Sequence, residues 1–287
     1  MGKGGGVAVR GRRSAPEPVP SGATMDMHEF LGMEPGADPT RWRLPVTRGI
    51  CGGRDSIYGG CAVAAAIEAA ESATARPLAW AACQFLRPAH LGSVIDLRVD
   101  VLAAGRAVSH GRVVATVDGQ EVFATLVSSG ERSFDVERVW PTMPDVPPPE
   151  RCPPRYIRAE NKGGLRERVV ERAVTEDPDG IMRSSDGRCA LWVTMPGGLP
   201  ARASALALVG DDVSAGVSAA VEPDAQAPSL DNTVRIVRAQ ACEWVLADVE
   251  VRAVARGLAH GTVNLWSPDG HLLAVAAQTG VMRIRGS

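Results

Sequence analysis

A carboxylate and a carboxamide stand at opposite ends of the segment 229–285, with Asp231 near its start and Gln278 near its end. Gln278 closes an apolar run that alternates like a strand, and strand alternation places it on the apolar face of that run. A buried amide has to be hydrogen-bonded. Gln278 therefore either belongs to a polar site or ties down a strand end, and Asp231 is either functional or a turn carboxylate before a strand.

A second candidate site lies at the start of a small-residue run in the first half of the chain. Gly59, Gly60 and Cys61 stand where a helix begins. The free N–H groups and the positive dipole end of a helix suit an oxygen that gains negative charge. Tyr58 precedes them and could line an adjoining pocket. Alternatively, the glycines only permit close packing. Cys61 is the weaker candidate for a nucleophile, because no histidine is near it in sequence.

The elements that would position these residues occur twice along the chain. The first half predicts a buried helix followed by four strands, at 59–70, 82–86, 94–102, 111–117 and 121–127. The second half repeats the order, at 212–221, 233–238, 243–252, 261–266 and 272–278. Asp118-Gly119 is a strong hairpin signal within the first set. Because one helix plus one antiparallel sheet recurs, we infer a duplication.

Seven prolines between residues 141 and 154 separate the two halves. Proline removes a backbone donor and fixes φ, so this segment is neither helix nor central strand. We expect a disordered or loosely attached arm at 1–35 and a first domain at 36–140. A Pro-rich linker at 141–158 then leads to a second domain at 159–287.

Composition excludes several classes of protein. The 287 residues carry a net charge of -2, which gives no basic bias for nucleic acid or an anionic membrane. No apolar run approaches the ~20 residues of a membrane-spanning helix, and no apolar region of a signal peptide follows the N-terminus. Six scattered cysteines form no CxxC pair. We expect free thiols in a reducing cytoplasm, with no metal and no cofactor.

A helix wrapped by a curved antiparallel sheet, twice in one chain, describes a double hot-dog fold of the α+β class. On particular stretches the sequence resembles the acyl-CoA thioesterase II family. They are 229–236, 243–248, 255–261 and 269–283 in the second half and 58–60, 85–89 and 105–106 in the first. The resemblance implies two antiparallel sheets, each around a buried helix, joined into one continuous pseudo-dimeric sheet.

The resemblance also implies a reaction. In that family an Asp, a Ser or Thr and a Gln hold the water that attacks an acyl-CoA or acyl-carrier-protein thioester. Asp231 and Gln278 match the Asp and the Gln. The hydroxyl is expected in 248–257, which contains no Ser or Thr. Arg252 stands near the expected place and could pair with Asp231, bind a CoA phosphate or be solvated. The predicted substrate- and oxyanion-binding residues are Tyr58, Gly59, Gly60, Cys61, Asn232 and Arg252.

Three functions remain open at this point. The first is a thioester hydrolase. The second, prompted by the missing hydroxyl, is conjugate addition to or hydration of an α,β-unsaturated thioester. The third is a non-catalytic acyl-CoA binder. His110 and His260 occupy equivalent repeat positions and read as structural, although hot-dog dehydratases use a histidine. Further association into homo-oligomers is compatible with the fold.

Overall fold

The computed structural model describes residues 26–53, 55–158, 161–222 and 224–284. Most of its strands join one antiparallel sheet of twelve strands. The strands are β1 (Glu34–Pro35), β2 (Arg41–Pro45), β3 (Leu78–Phe85), β4 (Val94–Ala104), β5 (Val108–Val117), β6 (Gln120–Gly130), β7 (Val170–Ala173), β8 (Arg188–Thr194), β9 (Ala225–Gln226), β10 (Ser229–Ile236), β11 (Val245–Ala255), β12 (Leu258–Trp266), β13 (Leu272–Val281) and β14 (Arg283–Ile284).

Helices of the described residues are few and mostly short. They are α1 (Met27–Leu31), α2 (Gly59–Thr74), α3 (Leu165–Arg168), α4 (Ala203–Val209) and α5 (Val213–Ala220), with single 3₁₀ turns at Arg48–Ile50 and Pro149–Arg151. Within the described part of the chain, none combines the length and the apolarity needed to cross a bilayer.

The large sheet is built from two similar halves. Its strand order is β1-β2-β4-β5-β6-β3-β10-β13-β12-β11-β8-β7, and β9 pairs with β14 separately. The central strands β3 and β10 pair antiparallel, which places Cys83 opposite Asn232. Backbone hydrogen bonds therefore continue from one half into the other. This confirms the predicted double hot-dog with one continuous pseudo-dimeric sheet.

Helix α2 is the core of the first half. Its residues from Gly60 to Ala70 are all buried, as the apolar pattern predicts. Glu68 is the one buried residue of α2 with a charged side chain, and its carboxylate lies in this core. It accepts hydrogen bonds from Arg202 Nη1 at 2.6 Å and from Ser204 Oγ at 2.5 Å. A buried charge requires such partners, so Glu68 joins α2 to the start of α4.

The predicted Pro-rich linker follows the outer surface of the second half. Met143 and Val146 pack against a buried cluster that includes Trp192 and Trp266, and Trp192 Nε1 donates to the Pro147 carbonyl at 2.9 Å. These prolines therefore carry packing contacts as well as connecting the halves. The predicted domain boundaries themselves stay a prediction.

The predicted N-terminal arm divides into two parts. Residues 1–25 lie outside the described residues. The remainder includes α1, whose Met27, Phe30 and Leu31 side chains are buried in the same core cluster as α2. This part of the segment is packed on the first half.

The hairpin between β5 and β6 forms where the sequence predicts it. Asp118 and Gly119 both have positive φ, at 49° and 76°. Such a pair makes the two-residue turn whose twist matches the flanking strands. The local signal was therefore sufficient at this position.

Candidate active site

A cavity of about 1010 Å³ lies where the two halves meet. The start of α2, the end of β3, residues 155–158, residues 161–166, helix α5 and the start of β10 all contribute to its wall. Tyr58, Gly59, Asp211 and Ser229 are among the lining residues. The cavity therefore brings together the beginnings of both core helices.

Asp211 is the carboxylate at the centre of this arrangement. It lies between α4 and α5, is 4% exposed and lines the cavity. Its Oδ2 accepts from the Gly60 backbone N–H at 2.6 Å. Its Oδ1 accepts from Asn232 Nδ2 at 3.2 Å and from Gln278 Nε2. Donors from both halves of the molecule thus hold one buried carboxylate.

The Gln278 amide is oriented by the start of α5. Its Oε1 accepts from the Val213 backbone N–H at 2.9 Å, so its Nε2 has to face the other way. That Nε2 donates to Asp211 Oδ1 and lies 3.1 Å from Ser229 Oγ. The predicted apolar-face position of Gln278 on β13 is confirmed, because the side chain is 4% exposed among buried neighbours.

Ser229 supplies a hydroxyl beside this amide. It is the first residue of β10, where the register with β13 shifts between Ser229 and Asp231. Such a bulge changes the direction of a side chain relative to regular alternation. The segment 248–257 does lack a hydroxyl, but the hydroxyl that contacts Gln278 comes from a different strand.

The pKa of Asp211 is shifted toward neutrality. Burial, the largest cause, raises this pKa from 3.8 to about 7, and the negative charge of Asp212 also raises it. The Gly60 N–H, the Arg166 guanidinium and the Asn232 side chain act in the opposite direction and lower it. A carboxylate with this pKa is well placed to exchange a proton near neutral pH. Perturbed groups in a cavity are candidates for chemistry, and here the geometry points to the same residue.

A buried ion network supports the turn that carries Asp211. Arg166 donates to Asp212 Oδ1 at 2.9 Å and to Glu171. Arg155 donates to Glu171 Oε2 at 2.9 Å and lies 3.3 Å from Asp212 Oδ1. Burial acts to raise the pKa of Asp212, but Arg166 and Arg155 outweigh it and hold that pKa below its usual value.

Tyr58 connects this network to Asp211. Its hydroxyl donates to the Asp211 backbone carbonyl and accepts from Arg166 Nη2 at 3.3 Å. The Arg166 guanidinium also lies over the Tyr58 ring, 5.1 Å from its centroid, at the distance of a cation–π contact. Tyr58 lines the cavity as the sequence suggests, and it also fixes the Asp211 turn.

The two glycines at the start of α2 allow this close approach. A Cβ at Gly60 would lie 2.7 Å from the Leu208 carbonyl oxygen, and one at Gly59 would lie 2.8 Å from Asp211 Oδ2. Both glycines therefore pack closely against the second half, and the Gly60 N–H faces the site. The Gly60 N–H is already bonded to Asp211, so its role toward an oxyanion stays a prediction.

Asp231 lies on the other face of the sheet from this cluster. It pairs with Thr279, whereas the neighbouring Asn232 pairs with Gln278, and paired residues share a face. The Asp231 carboxylate accepts from the Thr279 backbone N–H at 2.8 Å. The structure thus brings Gln278 and Asn232 to Asp211 and leaves Asp231 at the bulge.

Two further predicted residues also lie apart from the cavity wall. Arg252 is exposed on β11 and pairs with Glu250 at 3.0 Å, without a contact to Asp231. Cys61 is fully buried, and burial raises the pKa of its thiol well above the usual value. A buried thiol of this kind is a poor nucleophile.

The histidines of the repeat lie on the solvent side of the sheet. His110 Nδ1 is 2.9 Å from Ser128 Oγ, and His260 Nδ1 is 3.3 Å from Thr279 Oγ1. Both histidines are exposed, and neither is among the residues lining the cavity. This agrees with their interpretation as structural residues.

Only one such polar cluster occurs among the described residues. Gly261 pairs with Gln278, and its repeat equivalent Gly111 pairs with Val127. The bulge at Ser229 recurs in β3, where Leu78 takes the place of the serine. The equivalent positions of the first half are therefore apolar, which leaves one candidate site at the junction.

Sequence reasoning missed Asp211 and Ser229. One signal for Asp211 was available, because Asp211-Asp212 precedes the small-residue helix of the second half just as Gly59-Gly60 precedes that of the first. A carboxylate there is stabilised by the helix N-terminus. For Ser229 the signal was weaker, since a serine at a strand start is common in turns.

The family comparisons agree with this architecture. Residues 47–130 match the model of the acyl-CoA thioesterase N-terminal domain, and residues 144–282 match that of the acyl-CoA thioesterase C-terminal domain. A comparison with curated proteins gives no match.

Among solved structures, a thioesterase-like protein from Novosphingobium aromaticivorans is 32% identical, with 86% of this chain and 97% of that chain covered and a TM-score of 0.78. A hot-dog protein of unknown function from Alicyclobacillus acidocaldarius is 18% identical, with a TM-score of 0.80 and coverage of 91% and 99%. Acyl-CoA thioesterase II TesB2 from Mycobacterium marinum is 20% identical, with a TM-score of 0.72 and the same coverage.

The last two relatives show the fold alone. The two domain models and the first relative together show the family. The chain belongs to the acyl-CoA thioesterase family of double hot-dog proteins, which confirms the resemblance seen in the sequence.

Proposed function

We propose that this protein hydrolyses acyl-CoA thioesters with a water molecule activated by Asp211. The observation that carries the proposal is the hydrogen-bonded chain of Asp211, Gln278 and Ser229 at a cavity wall. It supplies a base, an amide and a hydroxyl next to one another, with the base and the hydroxyl in the cavity lining. Acyl-carrier-protein thioesters remain the alternative form of the substrate.

The reaction follows from the chemistry of these groups. The water oxygen attacks the thioester carbonyl carbon while its proton passes to the Asp211 carboxylate. The tetrahedral intermediate then collapses, the C–S bond breaks, and the leaving sulfur takes the proton back from Asp211. The products are a carboxylic acid and a free thiol, and Asp211 is ready for another cycle. Ser229 and Gln278 hold the water and the base in line.

The Ser229 hydroxyl beside Gln278 supports hydrolysis over the second hypothesis. Conjugate addition or hydration was prompted by an absent hydroxyl in 248–257. Both repeat histidines, His110 and His260, also lie outside the cavity lining. The third hypothesis, a non-catalytic acyl-CoA binder, differs from a hydrolase only in turnover. The test therefore has to measure both turnover and the mass of the product.

The test compares two matched carboxylate variants. Wild type, Asp211→Asn and Asp231→Asn are incubated with saturated and 2-enoyl CoA thioesters, and free thiol and product mass are followed. We expect thiol and carboxylic acid from saturated substrates. Asp211→Asn should lower kcat by about 10²–10⁴, as loss of a general base does. Asp231→Asn should stay within about threefold of wild type, because its side-chain oxygen can still accept from Thr279.

If Asp231→Asn lost activity and Asp211→Asn retained it, Asp231 would be the base instead of Asp211. Adducts formed only from enoyl substrates would support the second hypothesis, and binding without turnover in wild type would support a binder. Melting temperatures of both variants show whether the fold is intact.

A further inference from the structure

The acidic and basic side chains that line the cavity fall into two groups. The first group contains Glu171 and Asp211, the two carboxylates of the lining, together with Arg155 and Arg166, whose side chains are 16% and 14% exposed. Its charges are compensated within the network described above. The second group reaches solvent and consists of Arg87, His90, Arg158 and Arg283. Within the described residues, no exposed carboxylate lines the cavity beside it.

These basic residues come from different walls of the opening. On one side, the Ile57 N–H donates to the carbonyl of Ala89, which lies between Arg87 and His90 in sequence, at 2.9 Å. On another side, the Leu165 N–H donates to the Cys51 carbonyl at 3.1 Å. Arg158 belongs to this second side, because its carbonyl accepts from the Asn161 N–H at 2.9 Å.

The remaining basic residue enters from the second half. Arg283 lies on β14, opposite Gln226 of β9. The basic residues of the lining therefore come from three separate parts of the chain, and they share the cavity with its apolar residues and with Asp211.

Little in the described part of the chain neutralises these charges. Arg87 Nη1 donates to the Glu121 backbone carbonyl at 2.8 Å, which is a neutral partner. Neither Arg158 nor Arg283 forms an ion pair with a described residue, although surface ion pairs are numerous elsewhere. The whole chain has a net charge of -2. A local positive field on such a background attracts anions to this opening.

We propose that Arg87, Arg158 and Arg283 bind the phosphate groups at the nucleotide end of coenzyme A. The proposal rests on the proposed function for the nature of the thioester. Guanidinium groups form strong, geometrically specific bonds with phosphate oxygens. The nucleotide end carries about four negative charges near neutral pH, whereas a carrier-protein arm carries one phosphodiester. The opening thus selects the carrier by phosphate number, with the acyl chain in the apolar part of the cavity.

The test measures binding without turnover, so that its failure is separate from a failure of the hydrolysis proposal. Calorimetry is done with coenzyme A, 3′-dephospho-coenzyme A, phosphopantetheine and pantetheine. We expect affinity to fall in that order. Arg158→Gln should weaken coenzyme A binding about 5- to 10-fold and leave pantetheine unchanged. Arg235→Gln is the matched control, because Arg235 is exposed on β10 and is not a lining residue.

In a single variant, a neighbouring arginine could take over the lost phosphate contact. We therefore also test a triple variant with Arg87→Gln, Arg158→Gln and Arg283→Gln, which should lose most of the preference for coenzyme A over pantetheine. Equal wild-type affinity for coenzyme A and pantetheine would overturn the proposal. So would a triple variant that binds coenzyme A as Arg235→Gln does. An acyl carrier protein that binds more tightly than coenzyme A and is weakened equally by Arg158→Gln would also overturn it.

Discussion

Between pH 5 and pH 9, kcat/KM for acyl-CoA hydrolysis should rise and then level off, with a midpoint near pH 7. Under the proposed mechanism only the ionised Asp211 carboxylate accepts a proton from water, and burial raises its pKa to about 7. About 1% of a group with that pKa is ionised at pH 5 and about 90% at pH 8. The expected rise is therefore about 100-fold, whereas a base with the usual pKa of 3.8 would give a flat profile.

The assay follows loss of the thioester absorbance, because thiol reagents change their own reactivity with pH. Substrate is kept far below KM, and spontaneous hydrolysis is subtracted at every pH. Asp231→Asn is the control and should retain the wild-type midpoint. A wild-type midpoint at or below pH 5 would refute the assignment of Asp211 as the base, and so would a shifted midpoint in the Asp231 variant alone.

The direction of a shift gives a second check on the same carboxylate. Asn232 Nδ2 donates to Asp211 Oδ1 at 3.2 Å, and this bond opposes the effect of burial on the pKa of Asp211. Asn232→Ala removes a donor that favours the ionised form. The midpoint should then move to higher pH while the plateau rate changes little. A downward shift would contradict the hydrogen-bond geometry.

Three other substitutions test separate contacts of the site. Ser229→Ala should lower kcat about 10- to 100-fold with little change in KM. Ser229→Thr should retain most of the activity, because it keeps a hydroxyl. Equal losses of kcat in both variants would argue against a contact between Ser229 and the water. Tyr58→Phe should lower the free energy of unfolding by about 1 kcal/mol, measured by urea denaturation, and lower kcat severalfold as the Asp211 turn loosens. Cys61→Ala should keep turnover within about threefold, since burial raises the pKa of that thiol; complete loss with an intact fold would revive the nucleophile hypothesis.

The fold could be predicted from local signals because those signals recur. Strand alternation, the Asp118-Gly119 turn and the apolar helix at 59–74 are each set by neighbouring residues. Their repetition in the second half makes each assignment support the other. The same alternation placed Gln278 correctly on the inner face of β13.

The candidate site was harder to predict because it depends on contacts distant in sequence. Asp211 lies in a turn between two short helices, where no periodicity identifies its direction. Its bonds to Gly60 and Gln278 span 151 and 67 residues. The bulge between Ser229 and Asp231 adds a local change of register, so simple alternation from Asp231 does not identify the side chains that reach the cavity.

The duplicated halves contribute unlike parts to this site, and the difference has a steric cause. The second half supplies the carboxylate, the amide and the hydroxyl, whereas the first supplies a helix start without side chains at Gly59 and Gly60. A Cβ at Gly59 would meet Asp211 Oδ2 at 2.8 Å, so two carboxylate-bearing turns do not fit face to face across the junction. Because the first half offers the Gly60 N–H and no side chain at this place, the second half can bury the Asp211 carboxylate against it. Burial in turn raises the pKa of Asp211 to about 7, which suits proton transfer near neutral pH.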